Sequence, residues 1–148
     1  MALQTLNVAL ADDDEDDRFL FKDAIDEIKI KTKLSLFNDG KELMDYLTLP
    51  NVILPEIIFL DLNMPIKNGM QCLKEIRENP KLNGLSVAIY STSSSENDIE
   101  ETFINGANVY INKPTNFGAL KKAIEKVLQL NWQYQTSALN RDNFLLRI

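Results

Sequence analysis

Short apolar runs alternate along this chain with longer stretches in which apolar residues return every third or fourth position. These are the periods of buried strands and amphipathic helices. Leu6 to Leu10 is the first run, and it stops at a block of six consecutive acids, Asp12 to Asp17. Phe21, Ala24, Ile25 and Ile28 follow at helical spacing, so the first helix is expected to start within the acids, which suit the positive end of its dipole. Lys33 to Phe37 alternates like a second strand, Asn38-Asp39-Gly40 is a turn, and Leu43, Met44 and Leu47 mark a second helix. Pro50 and Pro55 bracket the loop into Ile57 to Leu60, a run of the kind buried on both faces of a sheet, and the acid at its tip is Asp61.

Asn63, Pro65 and Gly69 punctuate the next loop, and Met70, Leu73 and Ile76 mark a third helix closed by Asn79-Pro80. Val87 to Tyr90 is a fourth strand, followed by the hydroxyl run Ser91 to Ser95. Ser95 and Asp98 have capping-box spacing ahead of a fourth helix that carries Ile99 and Phe103 and ends at Asn105-Gly106. Val109 to Ile111 is a fifth strand ending at Asn112-Lys113-Pro114, and Phe117, Leu120, Ile124, Val127 and Leu128 give a fifth helix. Strict strand-helix alternation predicts an α/β fold, a doubly wound five-stranded parallel sheet with helices on both faces. Residues 5–130 read as one domain. Residues 131–148 read as a tail with apolar residues but no sustained period, for which three readings stay open: packing back on its own domain, a helix or contact with a partner or a second copy, and hanging free.

Composition narrows the function. A net charge of −6 argues against direct nucleic-acid binding, which needs a clustered basic face, and no apolar run approaches the roughly 20 residues of a membrane span. The lone cysteine, Cys72, rules out an internal disulfide and, with an N-terminus unlike a signal peptide, makes the cytoplasm the expected compartment. The absence of histidine removes histidine general bases, histidine metal ligands and any phosphohistidine on this chain.

Strand tips then carry the chemistry: Asp12 and Asp13 after the first, Asp61 at the third, Ser91 at the fourth and Lys113 after the fifth. Ligands of open parallel sheets sit at this carboxyl end of the strands. Carboxylates that converge there cannot all ionise cheaply without a cation, and Mg²⁺ suits a set of hard oxygen donors. Lys113 adds a second positive charge. Two cations beside a carboxylate stabilise a phosphoryl group arriving on it, which makes Asp61 the expected nucleophile.

These residues, with the stretch DLNMPIKNG around Asp61, Tyr110 and the pair Lys113-Pro114, resemble the receiver domain of two-component response regulators. The chain looks most like stand-alone, single-domain receivers, including those that partner phytochrome-type sensors. The resemblance covers about residues 5–130 and implies a flavodoxin-like (βα)5 fold with strand order 2-1-3-4-5. It also implies that Asp61 is the phosphoacceptor and that Mg²⁺ is held by the Asp13 and Asp61 carboxylates and the Asn63 backbone carbonyl, with Asp12 acting directly or through water. Lys113 would pair with a phosphoryl oxygen, Ser91 would donate its hydroxyl to the group, Tyr110 would change rotamer, and the Lys113-Pro114 peptide would be cis. Serine stands at position 91 where threonine is common in the family, with Thr92 beside it; the distance from Ser91 to Lys113 matches the family. The implied partners are a sensor histidine kinase and a downstream protein or phosphotransfer protein, with homodimerisation through the tail in view. The implied role is a phosphorylated signalling domain, not an enzyme acting on other substrates.

An Mg²⁺-dependent phosphohydrolase with an aspartate nucleophile is the alternative. Such enzymes usually carry a second acid two residues on, where this chain has Asn63. A flavin mononucleotide carrier of the same fold would place Ser, Thr and Gly, not acids, after the first strand.

Overall fold

The computed structural model describes residues 5–129 and 145–146. Five strands and five helices alternate: β1 (Leu6–Ala11), α1 (Glu15–Asp26), β2 (Thr32–Phe37), α2 (Gly40–Leu47), β3 (Ile57–Leu60), α3 (Gly69–Glu78), β4 (Ser86–Ser91), α4 (Glu96–Ile104), β5 (Val109–Asn112) and α5 (Phe117–Gln129). The strands pair in parallel in the order β2-β1-β3-β4-β5, as the resemblance implied.

A sixth strand, β6 (Leu145–Leu146), lies parallel to β5, with Leu145 opposite Tyr110 and Leu146 opposite Ile111. This extends the five-stranded sheet expected from the sequence; two residues are too short a run for any period to announce them. The other tail expectations fall on residues outside those described.

Strand alternation divides the core in two. Ala9, Ala11, Ile58, Leu60, Val87 and Ile89 meet α2, α3 and α4 on one face, whereas Val8, Leu10, Ile57, Phe59, Ala88 and Tyr90 meet α1 and α5 on the other. Every residue of β3 and β4 is buried, as a central parallel strand requires. Phe21 of α1 anchors the second face, its ring edge-on to Phe59 at 4.9 Å and Tyr90 at 5.6 Å. Truncating such a ring to alanine costs about 3–5 kcal/mol.

Side-chain caps set the helix starts. Asp14, Asp39 and Asn68 accept the N–H three residues on, and at α3 Gln71 returns the favour to Asn68, completing a capping box. The box expected at α4 is only half formed. Ser95 accepts from Asp98 N–H at 3.3 Å, but the Asp98 carboxylate takes the Ser93 hydroxyl at 2.6 Å, and it is Ser93 Oγ that accepts from Ser95 N–H. A competing acceptor two residues upstream has replaced the reciprocal bond.

Two glycines let helices close on the loop between β3 and α3. A Cβ at Gly69 would run into the Asp61 backbone carbonyl, and one at Gly40 into the Lys67 carbonyl. Inside that loop the Lys67 N–H donates to Pro65 O at 2.7 Å, with Ile66 at φ +68° between them. A β-branched residue with positive φ is rare and strained.

Candidate phosphoacceptor site

The sheet delivers its polar side chains to one edge. Asp12 continues from β1, its N–H held by Phe37 O at 3.1 Å and its carbonyl by Arg18 Nη1 at 2.7 Å. Asp61 continues from β3, its N–H bonded to Ala11 O at 3.0 Å. Lys113 follows β5 and is fixed by its N–H on Ser91 O at 2.8 Å. Backbone bonds to neighbouring strands therefore hold all three residues, and only the side chains are left to respond to a ligand.

Asp12 is 0% exposed and Asp61 5% exposed, whereas Asp13 lies open to solvent. One carboxylate oxygen from each of the three lies within 4.8 Å of the others. Asp12 Oδ1 accepts from Asp14 N–H at 3.0 Å and Asp61 Oδ1 from Asn63 N–H at 3.3 Å. Asp12 Oδ2 is buried and makes no aligned hydrogen bond, although Lys113 Nζ lies 2.8 Å away. A buried carboxylate oxygen with no aligned hydrogen bond, beside two further carboxylates, fits a hard divalent cation, which takes oxygen donors of this kind.

Burial, reinforced by Asp12, raises the Asp61 carboxyl from its ordinary value to about 6, against the pull of Lys113. Burial raises Asp12 as well, again opposed by Lys113. Burial disfavours the Lys113 ammonium, but the carboxylates of Asp12, Asp17 and Asp61 outweigh it, and the lysine is held above its ordinary value. The site is a charged cluster with more anion than its single lysine can match.

Asp17 is a member of this cluster that the sequence did not single out. Its Oδ2 lies 2.8 Å from Lys113 Nζ, against 3.3 Å for Asp61 Oδ2. Within a run of six acids, a solvated helix start was the natural reading; Asp17 lies in the first turn of α1, and spacing alone does not set it apart from its acidic neighbours. The Tyr90 ring also faces Nζ, 5.1 Å from its centroid.

The loop after β4 forms the other wall. Ser91 is fully buried at the β4 tip, opposite Asn112, and its Oγ accepts from Ser93 N–H at 3.1 Å. Tyr110 is already buried, its hydroxyl donating to Ser93 O at 2.8 Å. Asn112, not singled out from the sequence, directs its Nδ2 at the carbonyls of Ser91, Thr92 and Ser93, the closest being Ser93 O at 2.9 Å. One expectation fails: among the described residues no peptide is cis, so Lys113-Pro114 is trans. Trans is the intrinsically favoured isomer of X-Pro, by about 0.5–1 kcal/mol.

A parallel sheet of this order, with clustered acids and a lysine at its carboxyl edge, defines a receiver. The sequence matches the family described as response regulator receiver domain over residues 8–125, and the chain belongs to that family. It is 30% identical over 124 residues to the response regulator Rcp1 of Synechocystis sp., covering 81% of this chain and 84% of that protein. It is 28% identical over 130 residues to a probable methanogenesis regulatory protein, FilR2, of Methanothrix harundinacea, covering 84% of each. Among solved structures, the Mn²⁺-bound form of Rcp1 superposes with a TM-score of 0.75 at 27% identity, covering 91% of this chain and 97% of that one. The phosphorylated cyanobacterial phytochrome response regulator RcpA gives 0.78 at 28% identity, covering 93% and 98%. The protein is thus a response-regulator receiver of two-component signalling, and receiver domains are signalling domains that interact with histidine kinases and downstream partners.

Proposed function

We propose that Asp61 accepts a phosphoryl group from the phosphohistidine of a sensor histidine kinase or phosphotransfer protein, with Mg²⁺ held by Asp12, Asp13, Asp61 and the Asn63 backbone carbonyl. The observation that carries this reading is the shared environment of Asp61 and Asp12, two buried acids on one lysine, with an Asp12 oxygen left without a hydrogen bond. In the transfer, an Asp61 carboxylate oxygen forms a bond to phosphorus as the P–N bond breaks, and the electron pair of that bond returns to the imidazole nitrogen. Bound Mg²⁺ would neutralise charge on the transferring oxygens. Lys113 contributes a hydrogen bond to a phosphoryl oxygen, and the walls of Asp12 and Tyr90 keep its ammonium at that position.

The Ser91 hydroxyl oxygen accepts from Ser93 N–H through a lone pair, and its own proton would donate to the phosphoryl group. Turning its proton toward the phosphoryl group changes its contact with Ser93 N–H, and Ser93 O is the shared acceptor of Tyr110 and Asn112. A change at Ser91 is thereby passed to the loop before α4 and to the α4–β5–α5 surface, where a downstream protein or a second copy would read it. Because Tyr110 is already inward, phosphorylation would favour this buried state over an outward one instead of creating it. Cytoplasmic location and the absence of nucleic-acid contact follow as parts of the same proposal, the latter from the net charge of −6.

Incubation with acetyl phosphate and Mg²⁺ should add one phosphoryl group by intact mass, and Asp61→Asn should add none. Incorporation by Asp61→Asn at the wild-type level would overturn the assignment.

A further inference from the structure

Lys113 has three N–H donors, and its aligned, short hydrogen bond in the resting protein goes to Asp17 at 2.8 Å; the bond to Asp61 is longer, 3.3 Å. Asp12 Oδ2 is as near as Asp17 but out of line for a hydrogen bond. The residue expected to grip a phosphoryl oxygen is therefore engaged by a carboxylate outside both the acceptor and the metal-binding triplet.

Local structure explains why Asp17 is available. It occupies the third position of α1, three residues after the Asp14 cap, and its own N–H is bonded to Asp14 Oδ1 at 3.0 Å. A carboxylate there ordinarily reaches back to the N–H of the capping residue, as Gln71 does to Asn68 at 2.8 Å in α3. In α1 that N–H already donates to Asp12 Oδ1. Asp12, by accepting the N–H of the Asp14 cap, leaves Asp17 free to turn outward from the helix and toward Lys113. The Asp17 side chain is 33% exposed, so it alone of the lysine's three carboxylates can return to water at small cost.

We propose that Asp17 is a positioning residue that latches Lys113 in the unphosphorylated state and competes with the phosphoryl group for its ammonium. The proposal rests on the phosphoacceptor reading of Asp61. When a phosphoryl group stands on Asp61, its oxygens and the Asp17 carboxylate are rival acceptors of the same N–H groups, and their negative charges repel. Asp17 thus weakens the phosphorylated state and shortens the time Lys113 spends on it. The residue sets the level of phosphorylation without touching the transferred group.

The test is calorimetric titration of the full chain with beryllofluoride, a phosphoryl mimic, in saturating Mg²⁺. Asp17→Asn should bind it roughly three- to fivefold more tightly than wild type, and Asp17→Ala roughly five- to tenfold, because alanine removes the acceptor as well as the charge. Mg²⁺ affinity without beryllofluoride should stay within about twofold, since Asp17 is partly exposed and screened. A purely structural role would move both affinities together. Wild type that binds the mimic, with either variant equal or weaker, overturns the latch and leaves the acceptor reading standing. Wild type that binds no mimic at all overturns the acceptor reading, and the latch with it. A shared urea midpoint verifies that the variants are folded.

Discussion

Two cations are drawn into this protein from opposite ends of the sheet, and they are satisfied in different ways. Lys113, at the carboxyl edge, faces three carboxylates, those of Asp12, Asp17 and Asp61. Arg77 of α3, at the other edge, makes its bonds to neutral oxygens: Gly106 O at 2.8 Å, Asn83 O at 3.0 Å, Leu85 O at 2.6 Å and Asn108 Oδ1 at 2.9 Å. Asn108 Oδ1 also accepts from Val87 N–H, so one arginine joins α3 to the starts of β4 and β5. Burial lowers the Arg77 pKa, and four of its five N–H donors meet fixed dipoles. At Lys113 the anions exceed the cation. A matched set of donors and acceptors stabilises one arrangement, whereas an excess of one charge leaves an arrangement that a further ion can change.

The comparison can be broken first at Arg77. Arg77→Met should cost about 3 kcal/mol of urea-measured stability by stranding several acceptors, and added Mg²⁺ should recover none of it. Lys113→Met should cost less, about 2 kcal/mol in metal-free buffer, and here saturating Mg²⁺ should restore most of the loss, since it replaces the missing positive charge. If Mg²⁺ rescues both or neither, the contrast between the two ends is wrong.

Asp61→Asn should move in the opposite direction, gaining about 1–2 kcal/mol in metal-free buffer and losing most of the stabilisation that Mg²⁺ gives wild type. The same carboxyl carries a pH dependence. Asp61 is raised from 3.8 to about 6 in the folded chain, so between those values the folded state holds more proton than the unfolded one. Stability from this carboxyl is therefore full below about pH 4 and is lost as pH rises through about 6, by up to about 3 kcal/mol. Urea midpoints measured across that window should decline in wild type, flatten in Asp61→Asn and flatten again with Mg²⁺. A midpoint that rises across the window in metal-free wild type would refute the raised carboxyl.

The difference between the two ends also explains what was legible in the sequence. Ile57 to Leu60 could be read as a central strand because burial on both faces demands an unbroken apolar run, and Asp61 followed because a strand tip fixes where its side chain goes. Asp12, Asp13 and Lys113 were legible for the same reason. Asp17 was not, because its contact with Lys113 goes with the N–H of the Asp14 cap being taken by Asp12, a three-dimensional fact hidden in a run of six acids. Arg77 stands between Ile76 and Glu78 on a helix whose period gives a surface arginine and a half-buried one the same pattern. Ser93 intercepted the Asp98 carboxylate, which spacing alone assigned to Ser95. Patterns that follow burial survive in one dimension; choices among competing polar partners do not.

The two glycines against the loop between β3 and α3 bear on what mutation can reach. Every missense change at Gly69 adds a Cβ that meets the Asp61 carbonyl, and every one at Gly40 adds a Cβ that meets the Lys67 carbonyl, both of them backbone atoms with little room to yield. In a saturation library, then, substitutions at these positions should fall together at the bottom whatever their polarity or size, alanine included. Asn63 and Ile66, exposed on the loop between them, should tolerate a graded range. The stretch after Asp61 is thus constrained by space at Gly40 and Gly69 and by burial at Leu62 and Met64, and its exposed positions are where sequence can drift without dislodging Asp61.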